Sequence, residues 1–182
     1  MKYLNLTKTL LISLTCLLTL LSCKKDNIPG SMHIRENLKI VFLNKSGQNL
    51  VDPLTVNRLQ FEKMRLFFLE NNEKIEVYNP MLDSPRGLHL NDKEAPYFIA
   101  VSANISKGEV LSDKNGIKTG QSTALLQLND SITDTIKTEW QSGPGYVLIT
   151  KTWYNGILVY DVANPQNGIE NGDGFKITKS EF

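Results

Sequence analysis

The stretch Tyr146 to Val162, YVLITKTWYNGILVYDV, constrains the fold more than any other part of this chain. Asn155-Gly156 sits between two runs rich in β-branched and aromatic residues. A type I′ turn needs positive φ at both central residues, and Asn-Gly supplies it at the least steric cost. The segment therefore reads as a tight antiparallel hairpin. Pairing outward from the turn sets Tyr154 opposite Ile157, Trp153 opposite Leu158, Thr152 opposite Val159 and Lys151 opposite Tyr160. One face then carries Ile149, Lys151, Trp153, Leu158, Tyr160 and Val162, and the other Thr150, Thr152, Tyr154, Ile157 and Val159. The Trp153 face is the bulkier and is expected to point into the core, with Tyr154 at the surface.

The same grammar recurs along the chain. LKIVFL (38–43), KMRLFFL (63–69), KIEVY (74–78), YFIAVSA (97–103), STALLQL (122–128) and FKIT (175–178) are short apolar or alternating runs punctuated by Gly, Asn, Asp or Pro. Glu70-Asn71-Asn72-Glu73 reads as a second hairpin turn. In SITDTIKTEW (131–140), Ile132, Asp134, Ile136, Thr138 and Trp140 share one face, with Thr133, Thr135, Lys137 and Glu139 on the other. That is the pattern of a strand covered on one side. Eight or so strands predict an all-β fold, an antiparallel β-sandwich of the immunoglobulin-like or a related Greek-key kind. One alternative stays open at residues 52–60, where Asp52-Pro53 is a fair start for a short helix.

The N-terminus has a different character. Lys2 and Lys8 precede the apolar run Leu10 to Leu21, which ends at Ser22-Cys23. As a helix, twelve residues rise about 18 Å, well short of the roughly 30 Å hydrocarbon core of a bilayer. The run fits a cleaved signal segment rather than a permanent span. Leu20-Leu21-Ser22-Cys23 resembles the lipobox of bacterial lipoproteins, with Leu21 a less usual residue at its position. The resemblance implies that Cys23 is acylated and becomes the mature N-terminus, the acyl chains supplying a stable membrane anchor. An ordinary secretory cleavage elsewhere, or a chance cysteine, is the alternative. The expected organisation is a signal peptide over 1–22, a lipidated Cys23 with a polar tether over 23–37, and one sandwich domain over 38–182.

Cleavage before Cys23 discards Cys16, so one cysteine remains and no disulfide framework is possible. Removing Lys2 and Lys8 from the 20 basic side chains leaves 18 against 19 acidic, a net charge near −1. A nucleic-acid partner is not expected from that balance. The SCKKD start followed by a small sandwich resembles uncharacterised cell-envelope lipoproteins of the Bacteroidota kind, as do the short elements TDTI (133–136) and YNG (154–156). The resemblance implies a lipid-anchored outer-membrane location and names no functional residue beyond Cys23.

Chemistry-bearing motifs are sparse. His33 lies in the tether and His89 in DSPRGLHLNDKE, without HxxxH or HxH spacing, so no metal or cofactor is expected. No GxSxG elbow accompanies His89 as a candidate base. The loop 164–174 bears Glu170 and Asp173 but fails the EF-hand pattern at its anchoring positions. The connection 79–96 is long enough to be either a binding loop or a crossover between sheets. Trp140, Trp153, Tyr154 and His89 are the candidate ligand contacts, the aromatics as stacking platforms for sugars or simply as core. Two functions follow. One is a non-catalytic envelope sandwich binding a glycan or envelope protein; the other is a small periplasmic hydrolase acting on cell-wall or polysaccharide substrates.

Overall fold

A computed structural model describes residues 33–164 and 174–182, with His33–Phe182 forming one compact unit. The described residues form twelve strands in two sheets, with no α-helix. The strands are β1 (His33–Arg35), β2 (Asn37–Leu43), β3 (Arg65–Glu70), β4 (Glu73–Glu76), β5 (Leu88–Asn91) and β6 (Phe98–Ser102). They continue as β7 (Glu109–Lys114), β8 (Ile117–Gln127), β9 (Thr133–Gly143), β10 (Tyr146–Tyr154), β11 (Ile157–Asp161) and β12 (Gly174–Thr178). The sandwich takes up the chain at His33, where a tether was expected to run on to residue 37.

The larger sheet is built on three long strands, β8, β9 and β10, paired antiparallel. Two shorter strands lie end to end along the free edge of β8: β7 pairs with it from Ile117 to Gln121, and β3 from Ala124 to Gln127. Ser122 and Thr123 fall between these ladders. The far edge of β10 is shared in the same way, by parallel β1 near Tyr146 and antiparallel β11 near Tyr154. The smaller sheet runs β12-β2-β6-β5, with β12 parallel to β2. Side chains of both sheets meet in one core, including Ile40, Phe42, Ile99 and Phe175 from the smaller and Leu66, Leu126, Ile136 and Trp140 from the larger.

Turn chemistry explains the hairpins. Asn155 and Gly156 both have positive φ, as a type I′ turn demands, and Asn71-Asn72 between β3 and β4 does the same. A further turn of this kind, Asn115-Gly116, joins β7 to β8 and creates a strand not anticipated from the alternation alone. Along β9 the expected face is the buried one: Asp134, Ile136, Thr138 and Trp140 point inward, and Thr133, Thr135 and Lys137 outward.

The face expected for β10 is corrected. The hairpin begins in the expected register, Tyr154 opposite Ile157 and Trp153 opposite Leu158, but then shifts so that Thr152 faces Tyr160 and Lys151 faces Asp161. On its other side β10 pairs Ile149 with Trp140 and Lys151 with Glu139, leaving Thr150 as an extra residue. A bulge of one residue reverses the parity of everything beyond it. Ile149, Thr152 and Tyr154 are therefore buried, while Trp153 turns to the outer face. Residues 52–60 form turns rather than a helix, with a single 3-10 turn after them at Phe61–Lys63. Asp52 Oδ1 accepts a hydrogen bond from the Leu54 amide, and Leu54 and Val56 are exposed, so a helix there has no apolar stripe to bury.

Candidate functional site

The adjacent residues Tyr154 and Trp153 organise two different sites, one on each face of the larger sheet. On the inner face, Tyr154 lies edge-on to both Phe42 and Phe175, with ring centroids 6.3 and 6.2 Å away. Its hydroxyl donates to Asp134 Oδ2 at 2.6 Å. Lys179, which follows β12, donates from Nζ to both carboxylate oxygens at 2.9 and 2.8 Å, and Asn155 Nδ2 donates to Oδ1 at 2.7 Å. Asp134 and Lys179 are only 3% and 5% exposed. The carboxylate is thus enclosed by four donated hydrogen bonds, and the group fastens the C-terminal segment to β9. Burial pushes the Tyr154 hydroxyl well above the usual tyrosine range, and the Asp134 charge and hydrogen bond add to the effect. Every charge here is committed to a neighbour, so the group holds the fold rather than offering free valence to a ligand.

On the outer face the register aligns side chains into rows. One row crosses four strands as Thr123, Lys137, Trp153 and Leu158. The next runs Gln121, Glu139, Lys151 and Asp161, with Glu139 and Lys151 3.9 Å apart. Lys137 Nζ stands 5.9 Å from the Trp153 ring centre. A shallow hollow of about 480 Å³ lies over Thr123, Thr135, Lys137, Trp153 and Gly156. Phe67 of β3, half-buried beneath Lys74 with Nζ 3.8 Å from its ring centre, is a second aromatic on this face.

A cleft of about 820 Å³ adjoins that hollow and shares Thr123 and Lys137 with it. It occupies the notch where the ladders of β7 and β3 fail to meet along β8. Its walls include Glu70, Lys107, Glu109 and Gln121. Lys107 Nζ bridges to Glu70 Oε2 at 3.5 Å, and Gln121 Nε2 donates to Glu109 Oε2 at 2.7 Å. Gly108 lines the cleft because nothing larger fits: a Cβ there lies 2.7 Å from Trp140 Nε1 and 2.8 Å from the Gln121 carbonyl oxygen. Gly120 likewise leaves room for the Trp140 ring.

The four candidate contacts read from sequence do not converge. Trp153 is on the outer face. Tyr154, expected to be exposed, is 3% exposed, and Trp140 is buried against Gly108 and Gly120. His89 stands exposed on β5 in the smaller sheet, paired with Ala100. The 79–96 connection is partly regular, since β5 takes up Leu88–Asn91 and Arg86 ties the rest to the carbonyls of Phe61, Glu62 and Met64. Cys23, Glu170 and Asp173 lie outside the described residues. Among the described residues no group of three His, Cys, Asp or Glu side chains is arranged to hold a metal ion. The cleft residues Glu70, Lys107, Glu109 and Gln121 had no local signal, because pairing between distant strands brings them together. Lys137 was visible only as part of a polar face.

The fold and these faces define an all-β, two-sheet sandwich with a grooved outer surface. No protein-family model, curated protein or solved structure matches the chain.

Proposed function

We propose that this chain is a lipid-anchored protein of the bacterial cell envelope, held at the outer membrane through Cys23, whose sandwich binds a glycan or an envelope protein without catalysis. The observation that carries the binding reading is Trp153, an aromatic turned outward by a bulge into a row with Thr123 and Lys137 above a cleft-sized hollow. A large aromatic kept half-exposed beside polar hydrogen-bonding groups is the composition of a recognition surface rather than of a core. The anchor reading is supported by Leu20-Leu21-Ser22-Cys23. Metabolic labelling with palmitate tests it: wild type is expected to take up label and sediment with membranes, and Cys23→Ala to do neither. Unlabelled, soluble wild type refutes it.

The hydrolase reading keeps one specific support, that Glu70 and Glu109 line the same cleft. Each already has a partner, Lys107 for Glu70 and Gln121 for Glu109. Hydrolysis of cell-wall oligosaccharides by wild type, abolished in Glu109→Gln, would favour that reading; uncleaved substrate would leave binding as the function.

A further inference from the structure

The hollow at Trp153 and the notch beside β8 adjoin, with Thr123 and Lys137 lining both. Resting on the binding reading above, we propose that the two act as one trough holding an extended, uncharged oligosaccharide of about three residues, laid across the strands from Trp153 to the notch. The length follows from sheet geometry. Neighbouring strands are about 4.8 Å apart, so Trp153 on β10 and Thr123 on β8 stand about 10 Å from each other, with the notch beyond; that span suits about three pyranose rings.

The chemistry changes along the trough in the sense such a ligand needs. At one end the Trp153 ring offers a flat apolar surface for the C–H face of a sugar. In the middle, Thr123, Thr135 and Lys137 present hydroxyls and an ammonium group. At the other end Glu109, Gln121 and the Glu70–Lys107 pair present planar carboxylate and amide groups, suited to adjacent hydroxyls. The arrangement is set before a ligand arrives. Gln121 and Glu109 hold each other at 2.7 Å, and the lack of a side chain at Gly108 lets the cleft wall pack directly on Trp140 and the Gln121 backbone. Such preorganisation lowers the entropic cost of binding.

Other occupants fit less well. A peptide adding as a strand needs a run of unpaired backbone, and the β8 edge between β3 and β7 offers only Ser122 and Thr123. An anionic polymer needs an excess of cations, but in the notch Glu70 and Glu109 balance Lys107 and Lys137. A lipid chain needs an apolar channel along its whole length, whereas the notch end is walled by Glu70, Lys107, Glu109 and Gln121.

Calorimetric titration of the full-length, detergent-solubilised protein with β-1,4-linked gluco- and N-acetylgluco-oligosaccharides, from mono- to hexasaccharide, tests the proposal. In one of the two series affinity is expected to rise about tenfold or more up to the trisaccharide and then to level off. Trp153→Ala and Gln121→Ala are each expected to weaken trisaccharide binding about tenfold, with thermal unfolding unchanged enough to show an intact fold, and His89→Ala to leave it unaltered. Affinity that levels off at the monosaccharide, or that ignores both substitutions, overturns the proposal. If neither series binds while photo-crosslinkers on this face capture an envelope protein in cells, the oligosaccharide is wrong and the binding face stands. If neither glycan nor protein is captured there, both fail.

Discussion

Trp153 and Tyr154 are consecutive residues of one strand, each with a lysine near its ring, and they end in opposite circumstances. Lys179 Nζ lies 5.8 Å from the Tyr154 ring centre and Lys137 Nζ 5.9 Å from that of Trp153. On the inner face the lysine meets a buried carboxylate, and tyrosine and asparagine complete that carboxylate's hydrogen bonds. On the outer face no carboxylate lies within ion-pair distance of Lys137 among the described residues. The same chemical parts serve cohesion where their polar atoms are all engaged, and are left available for the proposed recognition where they face solvent. Substitutions can separate the two roles.

The largest effect is expected at Asp134. Asp134→Ala leaves the Lys179 ammonium buried without its counter-charge, a loss of about 3–5 kcal/mol that urea unfolding should show. A midpoint close to wild type would mean that the inner group is solvated and the contrast between the faces is false. Tyr154→Phe removes one hydrogen bond to a charged acceptor and should cost about 1.5–3 kcal/mol. It should also change the alkaline limb of stability. Because burial raises the folded-state value of Tyr154 above the unfolded one, near 10, its contribution is complete below that pH and is lost as pH rises beyond it. Stability of wild type should therefore fall above about pH 10 more steeply than that of Tyr154→Phe; parallel pH profiles would contradict the burial.

Trp153→Ala should cost no more than about 1 kcal/mol, since the ring is half-exposed, while abolishing or sharply weakening binding. Large destabilisation with binding retained would reverse the assignment of the two aromatics. The smallest effect concerns Thr152, buried beside Tyr154 with a hydroxyl that has no hydrogen-bond partner among the described residues. Thr152→Val should leave stability unchanged or raise it by up to about 1 kcal/mol in thermal melts.

How much of this was legible in the sequence differs between two neighbouring strands. β9 pairs without interruption with β8, so strict alternation gave its buried face correctly, down to Asp134 among apolar neighbours. A lone carboxylate in such a row announces a buried partner, but Lys179 lies 45 residues away and carries no local mark. β10 looked equally regular. Its facing turns on one extra residue, Thr150, accommodated where Ile149 and Lys151 meet Trp140 and Glu139. A bulge is a property of the pair of strands, not of either alone, so alternation counted along β10 grouped Ile149 with Trp153, and the bulk of that set placed Trp153 inside and Tyr154 outside. The cleft was illegible for a related reason. It exists because two ladders stop short of each other on β8, and nothing in the local sequence of β3 or β7 records where the other ends.

The outer face of the larger sheet, and not the smaller sheet, is proposed to meet the ligand or partner. The most direct test is a photo-crosslinking amino acid placed in cells at Thr135, exposed beside Trp153, and separately at His89, exposed on β5. Adducts with glycan or envelope protein are expected at 135 and not at 89. Equal capture at both positions, or capture at 89 alone, would contradict it.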